Sequence, residues 1–373
     1  MLRLVFWQHI MSMIDLPYII NCASNPSVKE VVIVGKSVSA ARKNMGWDID
    51  FPNMDKCTTI IDPTTKDIQE ILKKDLADSI HLFTGLSAFP HVFRAFKMSL
   101  DFNVKRAIIS ERPLTYAAGV DWIKPLWLHK IKFLLQNGTY IKAIDYVFEI
   151  GEDTSHYYRN LSSKWKVFPF AYCTRSNFEP SPQTKPEEMQ FCYVGSLCKR
   201  KNVITLLKAA KWLNRNGYDG RYKINLVGNG QDKPMLKKFT EKNKLGNVTF
   251  LGVINNKELP QFLVSQDVFV LPSIHDGWGA VLNEALQAGL YTLSSDRCGG
   301  KEMLSKTWLG NVFEMGNYKQ LAYRMKDAID ACEDIRSEQD KRRLWAEQSI
   351  SGIVVATYLV ECLSGHNINA PWR

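Results

Sequence analysis

The sequence predicts an α/β protein of two doubly wound, Rossmann-like domains facing each other across a cleft. Three observations carry this. Short β-branched runs alternate with amphipathic helical segments along the whole chain, the pattern of parallel sheets covered on both faces. The alternation stops once, in Ser176-Asn-Phe-Glu-Pro-Ser-Pro-Gln-Thr-Lys-Pro186, where three prolines among polar residues mark a linker. The 373 residues exceed one core of ~150 residues and suffice for two.

In the first half, Leu2–Trp7, Glu30–Val34, Thr58–Ile61, Ser79–Phe83, Arg106–Ile109 and Asp145–Ile150 read as strands. Thr65–Asp75 and Pro90–Phe102 read as helices among them, each with apolar residues on one stripe. Past the linker come strand Gln190–Val194, helix Val203–Leu213, strand Lys223–Val227, helix Lys233–Asn243 and strand Val248–Leu251. Helix Lys257–Ser265, strand Asp267–Leu271, helix Gly279–Ala288 and strand Tyr291–Ser294 continue the pattern. The tail holds helices Tyr318–Cys332 and about Ala346–Leu363. The division expected is 1–180, 181–345, and a tail, 346–373, whose helix packs back toward the first domain.

Hydrophobic residues at 45% and charged residues at 23% exclude a disordered or collagen-like chain. The balance of 48 basic to 38 acidic residues gives +10, which favours an anionic partner: nucleic acid, an anionic membrane or a phosphorylated ligand. A merely basic enzyme is the alternative. None of the eight cysteines forms C-x-x-C, so free thiols in a reducing cytosol are expected rather than zinc or disulfides. The start has no signal-peptide pattern, and no uncharged apolar run reaches the length of a membrane span. The sequons at Asn137, Asn160 and Asn247 carry no weight without secretion.

The segment richest in chemistry is Leu271-Pro-Ser-Ile-His-Asp-Gly-Trp-Gly-Ala-Val-Leu-Asn-Glu-Ala-Leu-Gln-Ala-Gly289. An apolar strand gives way to a glycine-bearing loop and then a helix. Free amides at that helix start favour an anion, and Gly277 and Gly279 let a ligand approach the backbone. Asp276 in the loop and Glu284 in the helix lie on the order of 10 Å apart. That suits a ligand with a phosphate in the middle and hydroxyls at both ends, each carboxylate accepting from a diol. A plain strand–turn–helix with Asp276 as a cap is the alternative.

Tyr193-Val-Gly-Ser-Leu-Cys-Lys-Arg-Lys-Asn-Val203, Leu226-Val-Gly-Asn-Gly230, Val248-Thr-Phe-Leu-Gly-Val253, the Asp267–Gly289 block and Asp296-Arg-Cys-Gly-Gly300 occur in a characteristic order. Together they resemble the nucleotide-sugar half of glycosyltransferase family 4, retaining enzymes of GT-B fold. The resemblance covers about 190 to 330; the first half is similar only in layout. It implies that Glu284 holds the ribose hydroxyls and that Asp276, aspartate where the family has glutamate, lies beside the transferred sugar. The loop Gly277, Trp278, Gly279 and Ala280 then lines the donor site. The family's Gly-Arg-Leu…Lys-Gly phosphate motif reads here as Gly195-Ser196-Leu197…Lys201-Asn202. Lys201 matches the phosphate lysine, and Ser196 replaces the arginine. Arg200 either restores that charge or is a solvated surface residue. Gly228, Gly230 and Val253 would form the base and ribose pocket. Lys201, Arg200 and the loop amides would stabilise the departing diphosphate, so neither metal nor other cofactor is expected. Asp48-Ile-Asp50 resembles a metal-binding D-x-D but sits in a loop of the wrong context and reads as a turn.

In the first half, the strand ending at Ser110 leads to Glu111 and Arg112, at a carboxyl end where ligands bind. Glu111 either orients or deprotonates the acceptor, or is a salt-bridged loop residue. Gln8 and His9 follow the first strand toward the same cleft, His9 reading as an ordinary polar residue. The family's usual glycine-rich loop is absent there. The stretch Trp122–Ile144 has four lysines, at 124, 130, 132 and 142, and no acid. Trp127, Leu128, Ile131, Leu134 and Leu135 share a helix face flanked by Lys130 and Lys132. Either this helix lies on an anionic bilayer, with Lys124, Trp127, Lys130 and Lys132 at the headgroups, or it packs on the sheet.

The reading is a cytoplasmic, peripherally membrane-bound, retaining hexosyltransferase. It takes a nucleotide-diphosphate sugar, UDP- ahead of GDP- or dTDP-linked, and a glycan acceptor on a lipid carrier, in O-antigen or capsule-type synthesis. The rivals are a nucleotide-sugar epimerase of similar fold and a basic nucleic-acid-binding protein, although no nucleic-acid module is present.

Overall fold

In the computed structural model, which describes residues 1–11, 13–39, 43, 55–111, 126–151, 158, 159, 161–174, 178 and 186–373, every strand pair is parallel. The side chains of 126–130 lie outside the description. The chain forms two units, Met1–Cys173 with Gly352–Pro371, and Thr174–Ser351 with Trp372–Arg373.

The first unit contains β1 (Leu2–Ile10), β2 (Val28–Lys36), β3 (Cys57–Ile61), β4 (Ser79–Thr84), β5 (Lys105–Glu111), β6 (Tyr146–Ile150) and β7 (Lys166–Phe170), in the order β3-β2-β1-β4-β5-β6-β7. Leu4, Val5, Phe6 and Trp7 of β1 are all buried, as a central strand covered on both faces requires. Around the sheet lie α1 (Leu16–Ala23), α2 (Thr65–Lys73), α3 (Pro90–Ser99) and α4 (Leu126–Ile141). A capping box fixes the start of α2: the Asp67 N–H donates to Thr64 Oγ1, and the Thr64 N–H donates to the Asp67 carboxylate. Its end is held by the buried Arg3, whose guanidinium donates to the carbonyls of Ile71 and Lys74.

The second unit contains β8 (Met189–Val194), β9 (Tyr222–Val227), β10 (Val248–Gly252), β11 (Val268–Leu271), β12 (Tyr291–Ser295) and β13 (Gly310–Phe313), in the order β10-β9-β8-β11-β12-β13. Its helices are α5 (Val203–Arg215), α6 (Lys233–Lys242), α7 (Leu259–Val264), α8 (Val281–Gln287), α9 (Tyr318–Asp330), α10 (Cys332–Ser337) and α11 (Gln339–Ile350). The chain then returns to the first unit as α12 (Gly352–Leu363), which packs on α1. Gly352 permits that return, since a Cβ there would come 2.7 Å from the Pro17 carbonyl oxygen.

Each sheet reverses its winding once. The first does so between β1 and β4, the second between β8 and β11. Neighbouring connections diverge there, leaving a crevice at the carboxyl ends of the two strands where ligands of this architecture bind.

Candidate active site

The apolar strand β8 stops at Val194, and the next residues carry the cations. Gly195 takes φ +150°, and the following glycines serve packing first. A Cβ on Gly228 would lie 1.9 Å from the Gly195 carbonyl oxygen, and one on Gly230 2.2 Å from that of Leu197. The loops after β8 and β9 therefore run backbone against backbone, with the Leu197 N–H donating to Asn229 O at 2.9 Å. Lys199–Lys201 form one 3₁₀ turn, Asn202 sits in the left-handed region at φ 52°, and α5 begins.

On the other side of the crevice, β11 ends at Leu271 and the chain runs to Asp276. The Ile274 N–H donates to Arg200 O at 2.8 Å, tying this loop to the cationic turn. Arg200 Nη1 donates to His275 O at 3.0 Å and lies 3.4 Å from Asp276 Oδ2. Lys201 Nζ donates to the same carboxylate oxygen. The Asp276 backbone is held by the loop after β12: its N–H donates to Arg297 O, and its carbonyl accepts from the Gly299 N–H at 3.0 Å. Asp276 was expected to offer its carboxylate to substrate hydroxyls. In this structure that carboxylate is engaged by the cations read as phosphate ligands, because the folded loops bring all three charges to one place.

Trp278 is buried, and its indole N–H donates to Asn283 Oδ1 at 2.7 Å. Gly279 has φ +83°, and a Cβ there would strike the Leu271 side chain at 2.8 Å. The Leu282 and Asn283 N–H groups bond back to the Gly279 and Ala280 carbonyls. Gly277 and Ala280 are half-buried in the same loop. Glu284 stands in the first turn of α8. Among the described residues its carboxylate has no hydrogen-bond or ion-pair partner, and burial pushes its carboxyl up to about 7. Val253 is exposed just beyond β10, and Ser196 is exposed beside Gly195.

In the first unit, Glu111 closes β5, and its carbonyl accepts from the Tyr158 hydroxyl at 3.1 Å. Beside it sequence reasoning missed Asp15. Burial raises the Asp15 carboxyl to about 7; the Tyr18 hydroxyl lowers it and the nearby Glu111 charge raises it further. The available signal was Asp-Leu-Pro at a helix start, with proline inside the first turn. Lys124, Arg112, Asp48 and Asp50 lie outside the described residues, as do the side chains of Trp127 and Lys130. On α4, Phe133 and Asn137 are buried, whereas Ile131, Leu134 and Leu135 are 46, 36 and 82% exposed, next to the exposed Lys132. Among the described residues no helix is long and apolar enough to cross a membrane.

Residues 174–346 match the family model described as glycosyl transferases group 1. A GDP-mannose-dependent α-mannosyltransferase of Mycobacterium tuberculosis is 26% identical over 160 residues, 43% of this chain and 38% of that one. A UDP-Gal:α-D-GlcNAc-diphosphoundecaprenol α-1,3-galactosyltransferase of Escherichia coli is 29% identical over 135 residues, 36% of this chain and 34% of that one. The chain thus matches less than half the length of either relative. The crystal structure of HepE from Anabaena in complex with UDP is 12% identical and aligns over 98% of this chain and 100% of that one, with a TM-score of 0.68. Residues 174–346 are thus similar to the glycosyl transferases group 1 family, and the two parallel-sheet units have the GT-B fold.

Proposed function

We propose that the protein is a retaining glycosyltransferase that moves a sugar from a nucleotide diphosphate to a hydroxyl of a lipid-linked glycan, working on an anionic membrane surface. The observation that carries this reading is the second switch point. Two cations, Arg200 and Lys201, follow β8; a carboxylate, Asp276, follows β11; and a half-buried carboxylate with no partner among the described residues, Glu284, follows on α8. A nucleoside diphosphate sugar offers the matching groups. Its diphosphate takes the place of Asp276 against Lys201 and Arg200, and its ribose diol donates to Glu284. Released from the lysine, Asp276 accepts from the sugar.

In the reaction the bond from the anomeric carbon to the β-phosphate oxygen breaks, and the diphosphate leaves with the electron pair. Charge grows on that oxygen, where Lys201, Arg200 and the loop amides around Gly279 and Ala280 stabilise it. The acceptor oxygen bonds the same carbon on the same face, and its proton passes to the departing phosphate oxygen that has taken the electron pair. Glu111 is assigned to that hydroxyl. With two side-chain cations on the diphosphate, the transfer needs no metal, and turnover is expected to survive EDTA.

Two observations support the lipid-linked acceptor. The exposed Ile131, Leu134 and Leu135 form an apolar stripe beside Lys132, on a segment with four lysines and no acid, as a helix lying on anionic lipid would have. The galactosyltransferase relative acts on a diphosphoundecaprenol-linked sugar. The test is a screen of UDP-, GDP- and dTDP-sugars for thermal stabilisation, since a ligand of the folded state raises stability by mass action. One nucleotide series is expected to raise Tm; indifference to all three removes the reading.

A further inference from the structure

We propose that Trp372 and Arg373 position the loop that carries Asp276, by fastening Glu302 in the turn on which that loop hangs. The inference rests on the reading above for the ligand, but the latch is built from residues that reading does not use, and its hold on the loop is measurable without a ligand.

The loop from Asp276 to Trp278 is supported from behind by a 3₁₀ turn, Gly299–Leu304. The first two amides of the turn carry it. The Gly299 N–H donates to Asp276 O at 3.0 Å, and the Gly300 N–H donates to Trp278 O at 2.8 Å. So close an approach requires glycine, since a Cβ on Gly300 would lie 2.7 Å from that Trp278 oxygen. A 3₁₀ turn of six residues is a weak support by itself, because its hydrogen bonds are poorly aligned and runs beyond about four residues are uncommon. It needs fastening from outside.

Glu302 supplies the point of attachment. Its side chain is 5% exposed, and both carboxylate oxygens are engaged from far along the chain. Trp372 Nε1 donates to Oε1 at 3.0 Å. Arg373 approaches Oε2 with Nε at 3.0 Å and Nη2 at 2.9 Å. Trp372 is fully buried, so its indole is held in place by packing as well as by the bond. Trp372 and Arg373 group with the second unit, so the latch lies inside the unit that carries the loop. A buried carboxylate keeps its charge only while such partners stay, and removing one leaves it uncompensated. Lys301 Nζ, donating to Asp296 O at 2.9 Å, ties the same turn to the end of β12.

The latch bears on the donor through the front of the loop. There the Asp276 carboxylate is held by Lys201 and Arg200, the cations assigned to the diphosphate. A donor that displaces the carboxylate removes these side-chain anchors while the loop amides and Asp276 must stay in place. The Gly299 and Gly300 amides remain as the support behind, and Glu302 keeps their turn in register. Glu302, Trp372 and Arg373 are therefore positioning residues, acting through the loop rather than on the donor.

The experiment compares wild type with Arg373→Ala, Arg373→Lys, Trp372→Phe and Glu302→Gln. It reads amide hydrogen exchange without ligand, UDP affinity by calorimetry, and the thermal midpoint. Exchange at Gly299 and Gly300 is expected to quicken at least about fivefold in Arg373→Ala, Trp372→Phe and Glu302→Gln, with α5 unchanged. UDP affinity is expected to fall about 3- to 10-fold in the same variants, while the midpoint moves by no more than about 2 °C. Arg373→Lys keeps the charge and is expected to recover most of the affinity. If Trp372→Phe fails to fold, Arg373→Ala carries the test, since that side chain is 34% exposed. Wild-type exchange at Gly299 and Gly300 in the folded variants overturns the proposal. So does faster exchange spread evenly over the unit, which is ordinary destabilisation. If UDP fails to bind even the wild type while exchange still quickens at these two glycines, the donor reading falls and the latch on the loop stands.

Discussion

Lys201 Nζ and Asp276 Oδ2 are bonded to each other across the crevice between β8 and β11, although 75 positions separate them in sequence. Each strand delivers one partner to its carboxyl end. Without a ligand, the carboxylate neutralises a cation that a diphosphate would otherwise meet. On the proposed reading, binding the donor means exchanging one anion for another on Lys201.

Asp276→Asn tests this exchange. It removes the competing charge and keeps the shape. UDP affinity is expected to rise about 3- to 10-fold, on the order of 1 kcal/mol, while turnover of the nucleotide sugar falls at least about tenfold. Calorimetry for UDP and initial rates for transfer separate the two effects. A fall in both would mean that Asp276 mainly holds the loop in place.

Glu284 makes a prediction about the ligand-free protein. Burial raises its carboxyl from 4.5 to about 7. The folded state therefore binds this proton more tightly than the unfolded chain. Between these two pH values the folded state holds more protons, so stability falls as pH rises through the window, and the cost is complete above about pH 7. Glu284→Gln removes that cost. It is expected to raise stability at pH 8 by roughly 1–2 kcal/mol, after allowance for partial exposure, and to change little at pH 4. Urea midpoints at the two pH values check it; equal effects at both would point to packing rather than charge.

The interior strands were legible because burial on both faces writes them as unbroken apolar runs. Every strand read from the sequence is present, β1 extending three residues beyond the apolar run to Ile10. The two strands missed are edges. β7 contains Pro169, which has no N–H to give a second neighbour and is tolerated because β7 pairs only with β6. β13 has four residues and starts with Gly310, whose missing Cβ leaves room for the Thr292 carbonyl at 2.0 Å. The order of the motifs identified the residues around the second switch point, and Glu284 among them. The Lys201–Asp276 pair was not legible, since it depends on which strands are neighbours. Asp15 escaped for the same reason: it reads as an ordinary polar residue until the fold sets it beside Glu111.

The α4 helix gives a second kind of prediction, in the other unit. If Ile131, Leu134 and Leu135 dip into the headgroup region, Leu135→Ser with Ile131→Ser should release the protein from anionic vesicles at any salt. Replacing Lys124, Lys130 and Lys132 by Glu should do so most strongly at low salt, at about 1 kcal/mol for each lysine near the surface. Trp127→Ala should weaken docking as well. Co-sedimentation at two salt concentrations reads all of these, with UDP affinity unchanged throughout. Wild-type sedimentation in both the serine and the glutamate variants would assign this face to some other partner.

The central claim is that the second switch point holds a nucleoside diphosphate sugar, its phosphates on Lys201 and its ribose on Glu284. The most direct measurement is donor affinity by calorimetry in wild type, Lys201→Ala and Glu284→Ala, using the nucleotide series that stabilises the wild type. Removing the ammonium, or leaving the bound diol without its carboxylate, is expected to cost about 2–4 kcal/mol, a loss of roughly 30- to 1000-fold. The Glu284→Ala loss should extend to the free nucleoside, and the Lys201→Ala loss only to ligands with a diphosphate. Wild-type affinity in both variants, with both folded, would contradict the account.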